Sequence, residues 1–209
     1  MKPILAVLLI AGANAYAQEG WISLFNGKDF SGWKVNENTA TFTIQDGAIV
    51  AHGERSHCFY VGDVQNHSFK NFELKVDVMT KPNSNGGVYF HTEYQPDDWP
   101  AKGFEVQVNN THGDPIKSGS LYHVQDIGAN AIKGLVQDNE WFTMDILVQV
   151  PTVTIKLNDK QVVQWTEPDG WAGTHDFVER RLGRGTIALQ GHDPGSTVYY
   201  KNIRIKPLP

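Results

Sequence analysis

The chain has 209 residues and a formal net charge of −5, and it holds no basic block. This excludes nucleic acid and anionic membrane as partners recognised through their phosphates. Cys58 is the one cysteine, so no disulfide can form within the chain, and it reads as a small buried apolar residue.

At the start, Lys2, the apolar run Ile4 to Ile10 and the small residues ending in Ala15-Tyr16-Ala17 read as a secretion signal over residues 1–17. Export to the periplasm or the extracellular space is the expectation. The apolar run is shorter than the about 20 residues that cross a bilayer, so no membrane insertion is expected. Residues 18–209 fit one domain with a sizeable core.

From there, short alternating runs rich in Val, Ile, Thr, Tyr and Phe recur between Gly, Asn, Asp and Pro. They begin with Thr41 to Val50, where Asp46-Gly47 makes a hairpin turn, followed by Asn71 to Met79, Gly87 to Thr92 and the segment FEVQV. Later come Trp141 to Val150, Thr152 to Leu157, Gln161 to Trp165, GTIALQ and Thr197 to Lys206. In the last run Val198 and Tyr200 share one phase and Ile203 and Ile205 the other, which predicts a bulge near Lys201-Asn202. The pattern is all-β and favours a two-sheet antiparallel sandwich over a small closed barrel. Three connections, Glu93 to Gly103, Asn109 to Gly134 and Glu167 to Arg184, exceed ordinary hairpin loops and are where such a scaffold carries function.

Two strands stand out. In GFEVQVNN, Phe104, Val106 and Val108 alternate with Glu105, Gln107 and Asn109; in GTIALQGHDPG, Ile187 and Leu189 alternate with Ala188, Gln190 and His192. A strand sends successive side chains to opposite faces, so the apolar sets enter a core and the polar sets share the other side. If both strands lie in one sheet, a carboxylate, amides and an imidazole converge there. Trp99, in DDWPAKG, is the best tryptophan for stacking on a sugar; Trp33, Trp141 and Trp165 read as core, and Trp171 as either.

The order of segments LFNGKDFSGW, FKNFELKVDV, PNSNGGVYFHTE, GFEVQVNN, SGSLYH, NEWFTMDI and GTIALQGHDPGSTVYYKNIRIKPL resembles the 3-keto-disaccharide hydrolase family, with the match running from Gly20 to Leu208. The resemblance implies a concanavalin-like jelly roll, secretion, and cleavage of glycosides whose ring is oxidised to a ketone at carbon 3, by elimination and hydration or by hydrolysis. It maps motif residues onto Glu105, Gln107, Tyr122, Gln190 and His192. Relatives commonly carry an arginine at the position of His91, so this protein would use His91 or another cation there.

The chemistry narrows the choice. A conventional glycosidase needs two carboxyl groups roughly 5 to 9.5 Å apart, and the residue two along from Glu105 is Gln107, which cannot ionise. Only Glu93, Asp114 or Asp126 on loops could supply the second. A ketone at carbon 3 acidifies the hydrogen on carbon 2, so one base suffices to begin. Glu105 and His192 are the candidate catalytic pair, with acid and base unassigned. The enolate oxygen would need His91, Lys133, Tyr122 or a divalent cation; no compact metal-ligand spacing is present, so a divalent cation stays open without being predicted. The competing readings are a lectin-like glycan-binding module and a two-carboxylate glycoside hydrolase.

Overall fold

The structure is a computed structural model that describes residues 20–174 and 177–209. The predicted signal segment lies outside them. Two antiparallel sheets face each other. The larger has eight strands in the order β11 (Lys160–Thr166), β10 (Thr152–Leu157), β9 (Phe142–Gln149), β6 (Phe72–Thr80), β13 (Val198–Pro207), β4 (Ala48–Ala51) and β3 (Phe42–Gln45), with β1 (Ile22–Ser23) also paired to β13. The smaller runs β2 (Trp33–Val35), β5 (Ser56–Tyr60), β12 (Thr186–Gly191), β7 (Gly86–Thr92) and β8 (Phe104–Val108). The one α-helical segment among the described residues is a single turn, α1 (Ala129–Ile132). The fold is an all-β jelly-roll sandwich.

Alternation built both sheets. On β6, Phe72, Leu74, Val76 and Val78 are fully buried in the core while Glu73, Lys75 and Asp77 lie on the half-exposed outer side. Across the sandwich, Phe104, Val106 and Val108 of β8 and Ile187 and Leu189 of β12 enter the same core. Asp46 and Gly47 both take positive φ, at 49° and 75°, which a two-residue hairpin turn with the strands' own twist requires. On β13 the pairing register with β6 shifts between Lys201 and Arg204, and Asn202 has φ 49°, so the bulge falls where the phase change placed it.

Other expectations are corrected. Ser56–Tyr60 is a strand that no alternation announced. Trp141 is 39 % exposed instead of core; it precedes β9 on the outside of the large sheet, against Tyr199 and with Lys201 Nζ 3.8 Å from its ring centre. Cys58 is buried and unpaired, as a small apolar residue would be.

The smaller sheet positions the polar side chains. Its outer face carries Tyr89, Ala188 and Phe59 in the middle, Glu105 and Gln107 at the β8 edge, and Gln190 next to His57 on the paired strand.

Candidate active site

Glu105 sits at the floor of a cavity of about 140 Å³ on that outer face, its side chain only 5 % exposed. Its carboxylate is crowded with donors. Tyr89 Oη donates to Oε2 at 2.7 Å and Gln190 Nε2 to Oε1 at 2.9 Å. The Gln107 amide, turned so that its nitrogen faces acceptors, donates to Oε1 at 3.2 Å and to the Gly86 carbonyl at 3.0 Å. Burial pushes the Glu105 carboxyl above the usual glutamate range, and the Arg180 guanidinium, Tyr89, Gln190 and His192 oppose that rise. Burial also lifts the Tyr89 phenol well above its ordinary value, with the Glu105 charge adding to the effect, so Tyr89 remains a donor.

Arg180 is the cation of this site. It is 1 % exposed, and its Nη2 stands 4.0 Å from Glu105 Oε2. Nη1 donates to the Tyr122 carbonyl, the guanidinium lies 3.7 Å over the Phe177 ring, and Trp171 Nε1 donates to the Arg180 carbonyl at 2.8 Å. Nε has no partner among the described residues. Burial lowers the guanidinium's value and Glu105 raises it, but an arginine keeps its charge in either case.

His192 lines the same cavity and is more open, its side chain 31 % exposed. Its Nδ1 donates to Asp193 Oδ2 at 2.7 Å. Asp193 is fixed in turn by Ser196 Oγ at 2.7 Å and the Gly195 N–H at 2.7 Å. Burial works against the Asp193 charge, but the Ser196, His192 and Gly195 hydrogen bonds outweigh it and hold the carboxyl below its usual range. The acceptor is therefore a carboxylate, and Nε2 is the ring nitrogen left for chemistry. Trp99 tilts against His192 at 5.3 Å between ring centres.

The structure thus brings Glu105, Gln107, Tyr122, Gln190, His192 and Trp99 to one cavity. Three predicted residues lie elsewhere. His91 would share the face of Tyr89 by strand phase, but it is the extra residue of a bulge between Phe90 and Thr92, with φ 54°. Its ring turns toward Phe72 and Phe90, accepts from the Gly183 N–H and donates to the Lys70 carbonyl. Asn109 lies one residue past β8 and ties down the following loop through the Asp114 and Ile116 carbonyls. Lys133 is exposed after α1. Glu93, Asp114 and Asp126 do not line the cavity either: Glu93 pairs with Lys102, Asp114 accepts from the Ile116 N–H, and Asp126 accepts from the His123 N–H. Sequence reasoning missed Arg180, Phe177, Asn85 and Tyr89. The phase of GGVYF, with Val88 and Phe90 inward, would have found Tyr89.

Residues 20–206 match the 3-keto-alpha-glucoside-1,2-lyase-like domain family. The chain belongs to that family. The 3-keto-disaccharide hydrolase of Bacteroides thetaiotaomicron is 27 % identical, over 91 % of this chain and 79 % of that protein. A crystal structure from Parabacteroides distasonis, described as a glycosyl hydrolase, has a TM-score of 0.76 at 25 % identity, covering 91 % of this chain and 95 % of that one. The Bacillus licheniformis beta-glucanase shares the fold alone, with a TM-score of 0.57 at 11 % identity over 91 % of this chain and 100 % of that one.

In this lyase-like domain the position of Glu105 depends on a glycine. A Cβ on Gly87, which pairs with Gln107 and so lies diagonally across from Glu105, would stand 2.5 Å from Glu105 Oε1 and 3.0 Å from its Cγ. Gly87→Ala is therefore expected to displace the carboxylate and lower turnover about 100-fold. The strand itself can hold an alanine, so urea denaturation should register a loss of only about 1–3 kcal/mol.

Proposed function

We propose that this protein is a carbohydrate-active enzyme that cleaves 3-keto-glycosides by acid/base chemistry, through elimination followed by hydration. The observation that carries this reading is the buried Glu105 carboxylate 4.0 Å from the buried Arg180 guanidinium, in a cavity where Glu105 is the one carboxylate among the described lining residues. Two-carboxylate hydrolysis finds no second acid among those described residues. Elimination asks for a base and an oxyanion partner side by side, because the carbon 2 hydrogen and the carbon 3 oxygen sit on adjacent atoms. The names of the family and of its Bacteroides relative support the same substrate class.

In this scheme Glu105 takes the carbon 2 hydrogen as a proton. The bonding pair moves onto the carbon 3 oxygen, whose growing charge falls on Arg180. Return of that pair expels the carbon 1 oxygen, to which His192 supplies a proton through Nε2; Asp193 stabilises the imidazolium that precedes this step. The ring is left with a carbon 1 to carbon 2 double bond conjugated to the ketone. Water then adds at carbon 1, His192 takes its spare proton, and Glu105 returns the first proton to carbon 2. The net result is hydrolysis. Raised burial makes Glu105 a stronger base than an exposed glutamate, and half-exposure suits His192 to an oxygen that departs toward solvent.

The test is incubation with a 3-keto-disaccharide beside its unoxidised parent. Release of free sugar from the oxidised form alone is expected; cleavage of the parent would instead favour a conventional glycosidase, and binding without cleavage a lectin-like module. His192→Ala should lower sugar release about 10²- to 10⁴-fold while carbon 2 still exchanges hydrogen for deuterium in heavy water, because proton abstraction precedes the step that needs His192. Loss of exchange in that variant would reverse the two roles. The N-terminal Lys2 and the apolar run Ile4 to Ile10 support the further proposal that the enzyme works in the periplasm or outside the cell.

A further inference from the structure

His57 is wholly buried on β5, and neither of its ring nitrogens has a partner among the described residues. It is paired in register with Gln190 of β12, so the two side chains are neighbours on the face that carries the cavity. Gln190 spends its amide nitrogen on Glu105 and Tyr89, and its Oε1 is likewise buried with no partner among the described residues. Burial, with smaller contributions from Arg55 and His192, pushes the His57 imidazole down to about 3, so the ring is neutral and holds one N–H donor. Trp99, which lines the cavity, packs edge-on against His57 at 5.5 Å and belongs to the loop between β7 and β8. Unpaired buried polar atoms are uncommon and costly, and these belong to two residues paired across neighbouring strands of the sheet that carries the cavity.

We infer that His57 and Gln190 together bind a hydroxyl of the sugar ring, in a subsite that Trp99 covers and must yield to open. A donor beside an acceptor matches a hydroxyl, which accepts from the imidazole N–H and donates to the amide oxygen. A ketone can only accept. The nitrogens of Arg180 only donate, so they suit the ketone or its enolate. The site therefore sorts the two kinds of oxygen on an oxidised ring, and the hydroxyl it reads is the one on carbon 4 or carbon 6, away from the reacting atoms. This rests on the reading of the cavity as a site for a 3-keto sugar.

The test uses a ligand with no glycosidic bond, 1,5-anhydroglucitol oxidised to the ketone at carbon 3, together with its 4-deoxy and 6-deoxy forms, titrated by calorimetry to the Glu105→Gln protein as well as to the natural one. The natural protein should bind the parent about tenfold more tightly than one of the deoxy forms. His57→Phe should lose that preference, binding the parent as weakly as the natural protein binds the deoxy form, with no loss of thermal stability. His57→Gln, which restores a donor and an acceptor, should recover part of it. If His57→Phe binds all three ligands as the natural protein does, the imidazole meets only a buried water or a ring face, and the inference fails. It also fails if all three weaken equally or the natural protein binds none. Cleavage of intact 3-keto-glycosides is scored separately, so inactivity there with the expected calorimetry would remove the elimination chemistry and leave the hydroxyl subsite standing.

Discussion

Glu105→Gln is expected to lower turnover of a 3-keto-disaccharide by about 10²- to 10⁴-fold and to abolish deuterium exchange at carbon 2. The amide keeps the shape of the carboxylate and an acceptor for Tyr89, yet it cannot take a proton. It also leaves Arg180 buried without its counter-charge, so unfolding free energy should fall by about 3 kcal/mol, measured in urea with circular dichroism confirming the fold. The pH dependence has a definite sign. Because burial raises the folded-state value above the ordinary 4.5, the base form is lost on acidification at a higher pH than an exposed glutamate would show. The acid limb of kcat/KM should therefore lie above 4.5 and vanish in whatever residual activity the glutamine variant retains. For stability the same shift acts oppositely: it favours the fold fully below the unfolded-state value, and that contribution is lost as pH rises through the folded-state one. An acid limb at or below the ordinary value, or a glutamine variant that exchanges carbon 2 normally, would remove Glu105 as the base.

Arg180→Met is expected to lower kcat by about 10²- to 10³-fold, the usual cost of deleting one oxyanion donor. Its effect on KM should be smaller, since the guanidinium interacts most strongly with charge that develops after binding. Methionine can occupy the space over Phe177, where the guanidinium lies 3.7 Å from the ring centre. What disappears is the charge beside Glu105 and the donation to the Tyr122 carbonyl. The decisive comparison is carbon 2 exchange. If Arg180 holds the enolate, exchange and cleavage fall together; if it only braces the loop, the variant should lose thermal stability and leave the exchange rate close to that of the natural protein.

Much of the sandwich was legible because apolar residues for the core alternate with polar ones along most of its strands. FELKVDVM and FEVQV declare their inward faces by alternation, Asp46-Gly47 marks a turn that needs two positive φ values, and the phase change in Thr197 to Lys206 marks a bulge. The strand SHCFY was hidden for a physical reason: Cys58 and Tyr60 face the core but Phe59 on the other side is apolar too, so residue types do not alternate along it. Trp99 packs on His57 and Tyr94 on Phe59, so the outward face has no solvent to signal it. Alternation also misled at His91, where nothing in an ordinary residue type announces the left-handed backbone that rotates the ring out of the cavity. Arg180 lies at the opposite extreme. It stands among Arg181 and Arg184 in an irregular connection, and only tertiary packing distinguishes it, through the Trp171 indole that grips its carbonyl and the Phe177 ring beneath its guanidinium.

The difference in depth between Glu105 and His192, 5 % against 31 % exposed, bears on how broad the diet of such an enzyme could be. With the oxidised ring seated at the bottom and the departing group at the rim, selection would act on the ring and only weakly on its attachment. One scaffold could then process glycosides with differing departing groups at comparable rates, the shared requirement being prior oxidation of the sugar.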